Sequence, residues 1–354
     1  MKIEKLNYEP EIDFLRFLAV TCVFFYHLKL LFPNFHLLGG FLGVDIFFFI
    51  SGYLITKIIL SKIINKEFSY KNFLINRLLR LVPGQAMLII LVFFSSLFIL
   101  LPNELVQLSE QIIFSFFLNS NFYFWFFVHE RYGDPGPFFQ PLLHFWTLSV
   151  EWHFYIFYPL MIILFVKIYK INFLKFLITI TIISFILTLW ASTKYKSAIF
   201  YLSVFRFWEF FLGGLTFYLF KKSENKKKLN TFFLYLIKIL PTAGLFLIIY
   251  SVFNFNSQSS FFIRMYPIIG SILIIKFGTT TLFFSKIINF FFFIKIGRLS
   301  YSIYLYHFSI FCFYAHYLQI YEDNPFLKGI LITLTLICSV FSFQLIEKPF
   351  QKKL

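Results

Sequence analysis

Arg16 and His27 stand eleven residues apart in an apolar run that covers 14–32. At 3.6 residues per helical turn, that spacing returns to nearly the same face three turns along. Asp13 lies one turn before Arg16 and can pair with it. One helix face would then carry a carboxylate and a guanidinium near one end and an imidazole near the other. An imidazole so placed is either a general base or a hydrogen-bonded histidine at a helix end. Asp45 opens the next apolar run, in GVDIFFFISGYLIT, at the same end as His27. A carboxylate beside an imidazole fixes its tautomer and raises its basicity. Further along this run Ser51 and Gly52 are two small residues, which permit close helix packing or expose backbone to a ligand.

Arg77 and Arg80, in NRLLRLVP, share one helix face at i, i+3 just before Pro83. Two guanidiniums on one face make a fork for phosphates, which lysines cannot reproduce; the plainer alternative is anchoring at a membrane surface. Glu151 lies within PLLHFWTLSVEWHFYIFYPL, with His144, Trp146, Ser149 and His153 nearby. A buried carboxylate there needs a partner or stays protonated. Arg206 and Glu209, in FRFWEFFLGG, form a second pair at i, i+3 whose favoured reading is mutual neutralisation. Ser300, Tyr304 and His307 form a polar stripe in GRLSYSIYLYH, and Glu347 precedes Pro349 in FQLIEKPF. The cysteines, Cys22, Cys312 and Cys338, read as buried free thiols. Their spacing supports neither a disulfide framework nor a zinc site, and no metal is expected.

These residues need elements that hold them in an apolar medium, and the composition says which. Of 354 residues, 59% are hydrophobic, 24% aromatic and 14% charged. An ordinary soluble domain has about a quarter charged residues. No water-soluble globule of this length hides so much apolar surface, and disorder needs low hydrophobicity. The class is an all-α polytopic membrane protein. Runs of bilayer length, about 20 residues, fall near 14–32, 41–60, 83–101, 146–166, 173–190, 199–220, 233–253, 266–283, 299–318 and 328–346. With the N-terminus inside, 24 of the 32 Lys and Arg fall on inside segments, as the positive-inside rule requires. Ten spans therefore put both termini in the cytoplasm. On this reading the net charge of +16 is a topology signal and not a nucleic-acid footprint. Residues 102–145 make a long outer connection with apolar stretches, expected to pack on or into the outer face. Phe122, Tyr123, Trp125 and Tyr132 there either stack on sugar rings or form an interfacial aromatic belt. Residues 221–228, KKSENKKK, read as a solvated cytoplasmic loop. No soluble domain is expected beyond the last span, so the chain reads as one domain over 1–354. Ionisable groups inside spans mark function by default. They fit a transporter or flippase as well as an enzyme, but no internal repeat of the kind many transporters carry is visible.

Taken together, the motifs resemble the integral-membrane acyltransferase family 3, which includes bacterial O-antigen and other cell-surface polysaccharide O-acetyltransferases. The resembling elements, in order, are YEPEIDFLRFLAV followed by His27; GGFLGVDIFFFISGYLIT; FLINRLLRLVPG; NFYFWF with PLLHFWTLSVEWHFYIFYPL; GRLSYSIYLYH; and FQLIEKPF, spanning 8–350. The resemblance implies that Arg16 and His27 are the family's essential first-helix pair. It implies that Asp45, Ser51 and Gly52 belong to its second-helix motif. Arg77 and Arg80 match its pair that engages the acyl-CoA donor, and Trp146 and Glu151 match its WSLxxE segment. Phe14 stands where glycine is usual and His153 where glutamine is usual. The implied catalytic set is His27, Asp45, Arg16 and Glu151, with Arg77, Arg80, Ser51 and Gly52 at the donor. The implied donor is acetyl-CoA, and the implied acceptor a hydroxyl of a cell-surface glycan or lipid-linked sugar. The implied place is the bacterial cytoplasmic (inner) membrane. Many members carry an added extracytoplasmic hydrolase-like domain. Its lack here implies a one-domain mechanism or a separate extracytoplasmic partner protein.

Overall fold

The computed structural model describes residues 8–35, 37–128, 140–222, 231–256, 259–317 and 323–351. Every regular element among the described residues is helical. In chain order they are α1 (Pro10–His27), α2 (Gly43–Ile64), α3 (Tyr70–Ile99), α4 (Pro102–Phe116), α5 (Ser120–Tyr123), α6 (Phe145–Met161), α7 (Phe173–Ser192), α8 (Lys196–Tyr201), α9 (Phe207–Lys222), α10 (Thr231–Asn254), α11 (Met265–Phe277), α12 (Leu282–Ile288), α13 (Phe291–Tyr317), α14 (Pro325–Phe341) and α15 (Lys348–Gln351).

Local chemistry starts these helices where the sequence supplies caps. Asn172 Oδ1 accepts from the N–H groups of Leu174 and Lys175 at the start of α7. Asn324 does the same for Phe326 and Leu327 in α14, satisfying donors that have no intrahelical partner. Pro10, Pro102 and Pro325 occupy first turns, where a missing N–H costs nothing. Asp323, just before α14, accepts from Lys328 in its first turn at 2.7 Å, and this bond holds the Asp323 carboxyl below its ordinary pKa. The same ammonium stands 4.7 Å over the Phe32 ring, so a lysine buried in α14 is matched on two sides.

Among the described residues, six helical segments are long and apolar enough to cross a bilayer, and 261–277 with 282–288, bent by 113°, would add a seventh. The sequence count of ten exceeds this, although each of the ten runs overlaps a helix. The difference has physical causes. Helix α1 has 18 residues and carries Glu11, Asp13 and Arg16. Run 199–220 breaks between α8 and α9, which leaves α9 with 16 residues. Run 266–283 crosses the turn between α11 and α12. Helix α13 carries Lys295, Arg298 and the polar stripe. Pro83 does not start a helix: α3 runs through it from Tyr70, so Arg77 and Arg80 ride on the same rod as the apolar run that follows.

Helix α2 is the centre of the bundle, with 72% of its most apolar stretch buried, against 17% for the segment containing α14. Two glycines seat α9 against it. A Cβ on Gly52 would overlap the carbonyl oxygen of Phe210, and one on Gly213 would overlap that of Phe49. A third glycine seats α13 on α1, because a Cβ on Gly297 would overlap the carbonyl oxygen of Asp13. Helices α1 and α13 run parallel: Asp13 meets Arg298 near their starts and His27 meets His307 further on.

The 102–145 connection is packed into the bundle, as far as it is described. Gln111, Ser115, Ser120 and Asn121 are buried. Ser120 N–H donates to Ser149 Oγ at 3.0 Å, and Asn121 donates to the Tyr201 carbonyl and Ser203 Oγ. His153 clamps the same region, with Nδ1 2.6 Å from Ser203 Oγ and Nε2 3.2 Å from Asn119 Oδ1. Tyr123 is buried and donates to Glu110. It is a core residue and cannot stack on an external sugar ring; Tyr132 lies outside the described residues. Only Cys312 is a fully buried thiol, while Cys22 and Cys338 are half-buried.

Gly52→Leu should lower the midpoint of thermal unfolding in detergent and the yield of folded protein, since the added side chain meets backbone that cannot give way. Gly329→Ala, where a Cβ meets nothing within 4 Å, should leave both unchanged or slightly raised.

Candidate active site

Among the described residues, three clusters hold the candidate site residues and their neighbours. The first lines a cavity of about 320 Å³. Arg16, Arg77, Arg80 and Arg298 contribute guanidiniums, and Glu151 and Glu347 contribute carboxylates. Ser51, Thr147, Tyr155, Ser300, Tyr301 and Tyr304 also line it. Arg16 donates to Asp13 Oδ1 at 3.2 Å, and Arg298 donates to Asp13 Oδ2 at 3.2 Å. One carboxylate thus aligns two guanidiniums from α1 and α13, an arrangement that the close crossing at Gly297 allows. Among the described residues no ion pair involves Arg77 or Arg80. Arg77 Nε is buried without a hydrogen-bond partner, and the guanidinium lies 5.8 Å from the Phe73 ring centre. This cavity end therefore holds more positive charge than its own carboxylates match, and it fits an anion.

Deeper in, Glu151 is held by two hydroxyls. Ser51 Oγ donates to its Oε1 at 2.5 Å, and Tyr155 OH donates to the same oxygen. Glu347 accepts from Ser302 at 2.7 Å and from Ser342 at 3.1 Å. Tyr304 closes the other end of the lining. Its hydroxyl is 2.6 Å from Thr147 Oγ1 and 3.1 Å from the carbonyl oxygen of His144.

The second cluster is the imidazoles beyond Tyr304. His27 Nδ1 is 2.9 Å from His307 Nε2. The rings of His144 and His307 are 6.2 Å apart, and Tyr304 stands 5.6 Å and 5.7 Å from the two. His144 and His307 are buried, while His27 is half-buried.

The third cluster corrects the expected place of Asp45. Asp45 does not orient His27. It accepts from Arg206 Nη2 at 3.1 Å and stands 3.8 Å from Arg264 Nε. Glu209 lies 3.2 Å from Arg206 Nε and 3.7 Å from Arg264 Nη1. Two carboxylates and two guanidiniums, all almost completely buried, neutralise one another between α2, α9 and the turn before α11. The physical reason is the Gly52 and Gly213 contact: it brings α9 so near α2 that Arg206, at its start, reaches the first turn of α2. Mutual neutralisation of Arg206 and Glu209 is half of this quartet. The same contact places Gly52 against α9 backbone, and Gly52 is not among the residues that line the cavity.

Of the sequence-derived site residues, Arg16, Ser51, Arg77, Arg80 and Glu151 meet in one cavity. His27 sits beyond its Tyr304 end, and Asp45 and Gly52 lie elsewhere. Sequence reasoning missed Arg298, Glu347, Tyr155 and Tyr301 as cavity residues. It read Arg298 as a topology charge, because one charge at the end of an apolar run carries no address, and gave Tyr155 and Tyr301 no role. The GRLSYSIYLYH stripe was the available signal, since it places Ser300, Tyr304 and His307 on one side of α13.

A model of the acyltransferase domain family matches residues 9–344. The chain belongs to that family. Several apolar helices and this membership make it a multi-pass membrane protein. It is 31% identical to the peptidoglycan O-acetyltransferase OatA of Listeria monocytogenes, over 98% of this chain and 56% of that protein. It is 28% identical to the O-acetyltransferase OatA of Staphylococcus aureus, over 99% and 59%. A further S. aureus protein, provisionally named an O-acetyltransferase, is 29% identical over 99% and 59%. The chain thus spans less than two thirds of the length of these relatives. No solved structure matches it.

Arg206→Ala leaves two buried carboxylates facing one guanidinium. It should cost about 3–5 kcal/mol of stability, read as a lower unfolding midpoint, and Asp45→Asn, which leaves two guanidiniums facing one carboxylate, should lower the midpoint as well.

Proposed function

We propose that this protein is a membrane O-acyltransferase that moves an acyl group, acetyl in the simplest case, from cytoplasmic acyl-CoA to a hydroxyl of a cell-surface glycan or its lipid-linked precursor. The observation that carries this reading is the path from four guanidiniums, through a polar cavity, to a histidine pair. Arg16 and His27 are separated by about 16 Å of helix rise, the scale of an extended pantetheine arm. A phosphate-binding end and a base at that separation suit a donor whose phosphates and reactive carbonyl lie at opposite ends of a flexible chain. The names of the O-acetyltransferase relatives support the reading, and the peptidoglycan named for the Listeria relative makes a cell-wall glycan the first acceptor to try.

In this scheme Arg77, Arg80, Arg16 and Arg298 hold the donor's phosphates, and Arg guanidiniums offer bidentate geometry for them. The cavity takes the acyl-pantetheine arm, and the nucleotide stays at its mouth. Rotation of Tyr304 away from Thr147 lets the thioester approach His27. His27 takes the proton of the acceptor hydroxyl as its oxygen attacks the thioester carbonyl. The tetrahedral intermediate collapses, the C–S bond breaks, and His27 returns the proton to the leaving thiolate. The products are an O-ester and free CoA. Glu151, fixed by Ser51 and Tyr155, shapes the middle of the channel. Ten membrane crossings with both termini cytoplasmic suit this division, and the distribution of Lys and Arg supports them. We propose that the membrane domain carries the donor half of the reaction and can hand the acyl group to an extracytoplasmic acceptor site.

Purified protein in liposomes, given acetyl-CoA with a labelled acetyl group and a glycan acceptor, should form base-labile labelled glycan. His27→Ala should insert normally and lose about 10²-fold or more in kcat, the usual scale of a general base. Arg77→Ala with Arg80→Ala should raise the donor KM at least tenfold. Label that crosses the bilayer without entering an ester would show transport instead.

A further inference from the structure

The hydrogen-bond chain through α13 decides which nitrogen of His27 is basic. His307 Nδ1 lies 2.9 Å from the carbonyl oxygen of Ile303, one turn back in its own helix. A carbonyl only accepts, so Nδ1 of His307 carries a hydrogen. The ring is completely buried among Phe24, Tyr304, Phe308 and Phe311. Among the described residues no carboxylate pairs with it or with His27. A cation there would be buried without a counterion, which is costly, so the ring is neutral and has one N–H. His307 Nε2 is then a lone pair, and the group 2.9 Å from it, His27 Nδ1, must donate.

We infer that His307 is a positioning residue which fixes His27 in the Nδ1–H tautomer and leaves His27 Nε2 as the basic nitrogen that receives the acceptor's proton. The inference rests on the acyltransfer reading for its functional part and on the bond chain alone for the tautomer. His307 takes the place that sequence spacing gave to Asp45. It orients the ring as a carboxylate would, but adds no charge in a region that has no counterion for one. The orientation is anchored in turn by a helix carbonyl, whose second lone pair is open to a side chain while the first serves the backbone ladder. The close crossing of α1 and α13 at Gly297 makes the two helices run together far enough for the rings to meet.

The variants that separate a tautomer role from a packing role differ in where they put an acceptor. Glutamine at 307 carries an amide oxygen out to the level of Nε2. Asparagine ends at the level of Nδ1, and leucine offers none. His307→Gln should keep kcat within about tenfold of wild type. His307→Asn and His307→Leu should lose about 10²-fold or more, with the donor KM unchanged. Nitrogen-15 spectra of ring-labelled histidine read the tautomer directly, and the chain has only seven histidines. At a pH where imidazole is neutral, the signal that vanishes in His27→Ala should show a protonated Nδ1 and a bare Nε2. A protonated Nε2 overturns the inference, as does full kcat in folded His307→Leu. If His27→Ala still transfers acyl groups, the acyltransfer role of His27 fails, while the wild-type nitrogen spectrum continues to judge the tautomer on its own.

Discussion

A charged group inside an apolar bundle has no water to return to, and this limits every polar residue in the protein. Four ionic side chains, Asp45, Arg206, Glu209 and Arg264, meet the limit by mutual neutralisation. His27 and His307 meet it by bonding to each other and, through His307, to a helix carbonyl. The cavity leaves cations incompletely matched, and that is where a ligand can supply the missing charge. Function is thus located by asking which buried charges lack partners.

Glycine contacts make these arrangements possible. Gly52 and Gly213 bring α2 and α9 together, and the buried quartet forms at the end of that contact. Gly297 brings α13 against α1, and three consequences follow along one interface: Asp13 is shared by Arg16 and Arg298, Tyr304 caps the cavity, and His307 reaches His27. Backbone proximity, set by the smallest side chain, positions the largest and most polar ones.

Much of this could be read from the chain. Hydrophobic runs located the helices, and the spacing of Arg16, Arg77 and Glu151 in apolar surroundings singled out residues that share a cavity. Asp13 and Arg16, at i, i+3, are paired as their spacing requires. What could not be read was pairing between distant segments. Asp45 is the instructive case. Its position in sequence puts it at the same end as His27, yet a helix has several sides, and the side Asp45 faces is set by α9, which lies about 160 residues further along and is seated by Gly52. His307 was visible in the polar stripe, but its partner is 280 residues away. The sequence count and the helix count part where chemistry collects, because the charges that make α1 and α13 useful also lower their apolarity.

The claim on which the rest hangs is that the guanidinium-lined cavity is the donor site. A structure of the protein bound to a thioether analogue of acetyl-CoA, which cannot transfer its acyl group, tests it without reference to turnover. The phosphates should contact Arg77 and Arg80, and the arm should run between Glu151 and Ser300 toward Tyr304. Density for the analogue at any other surface, with the cavity unchanged, would contradict it.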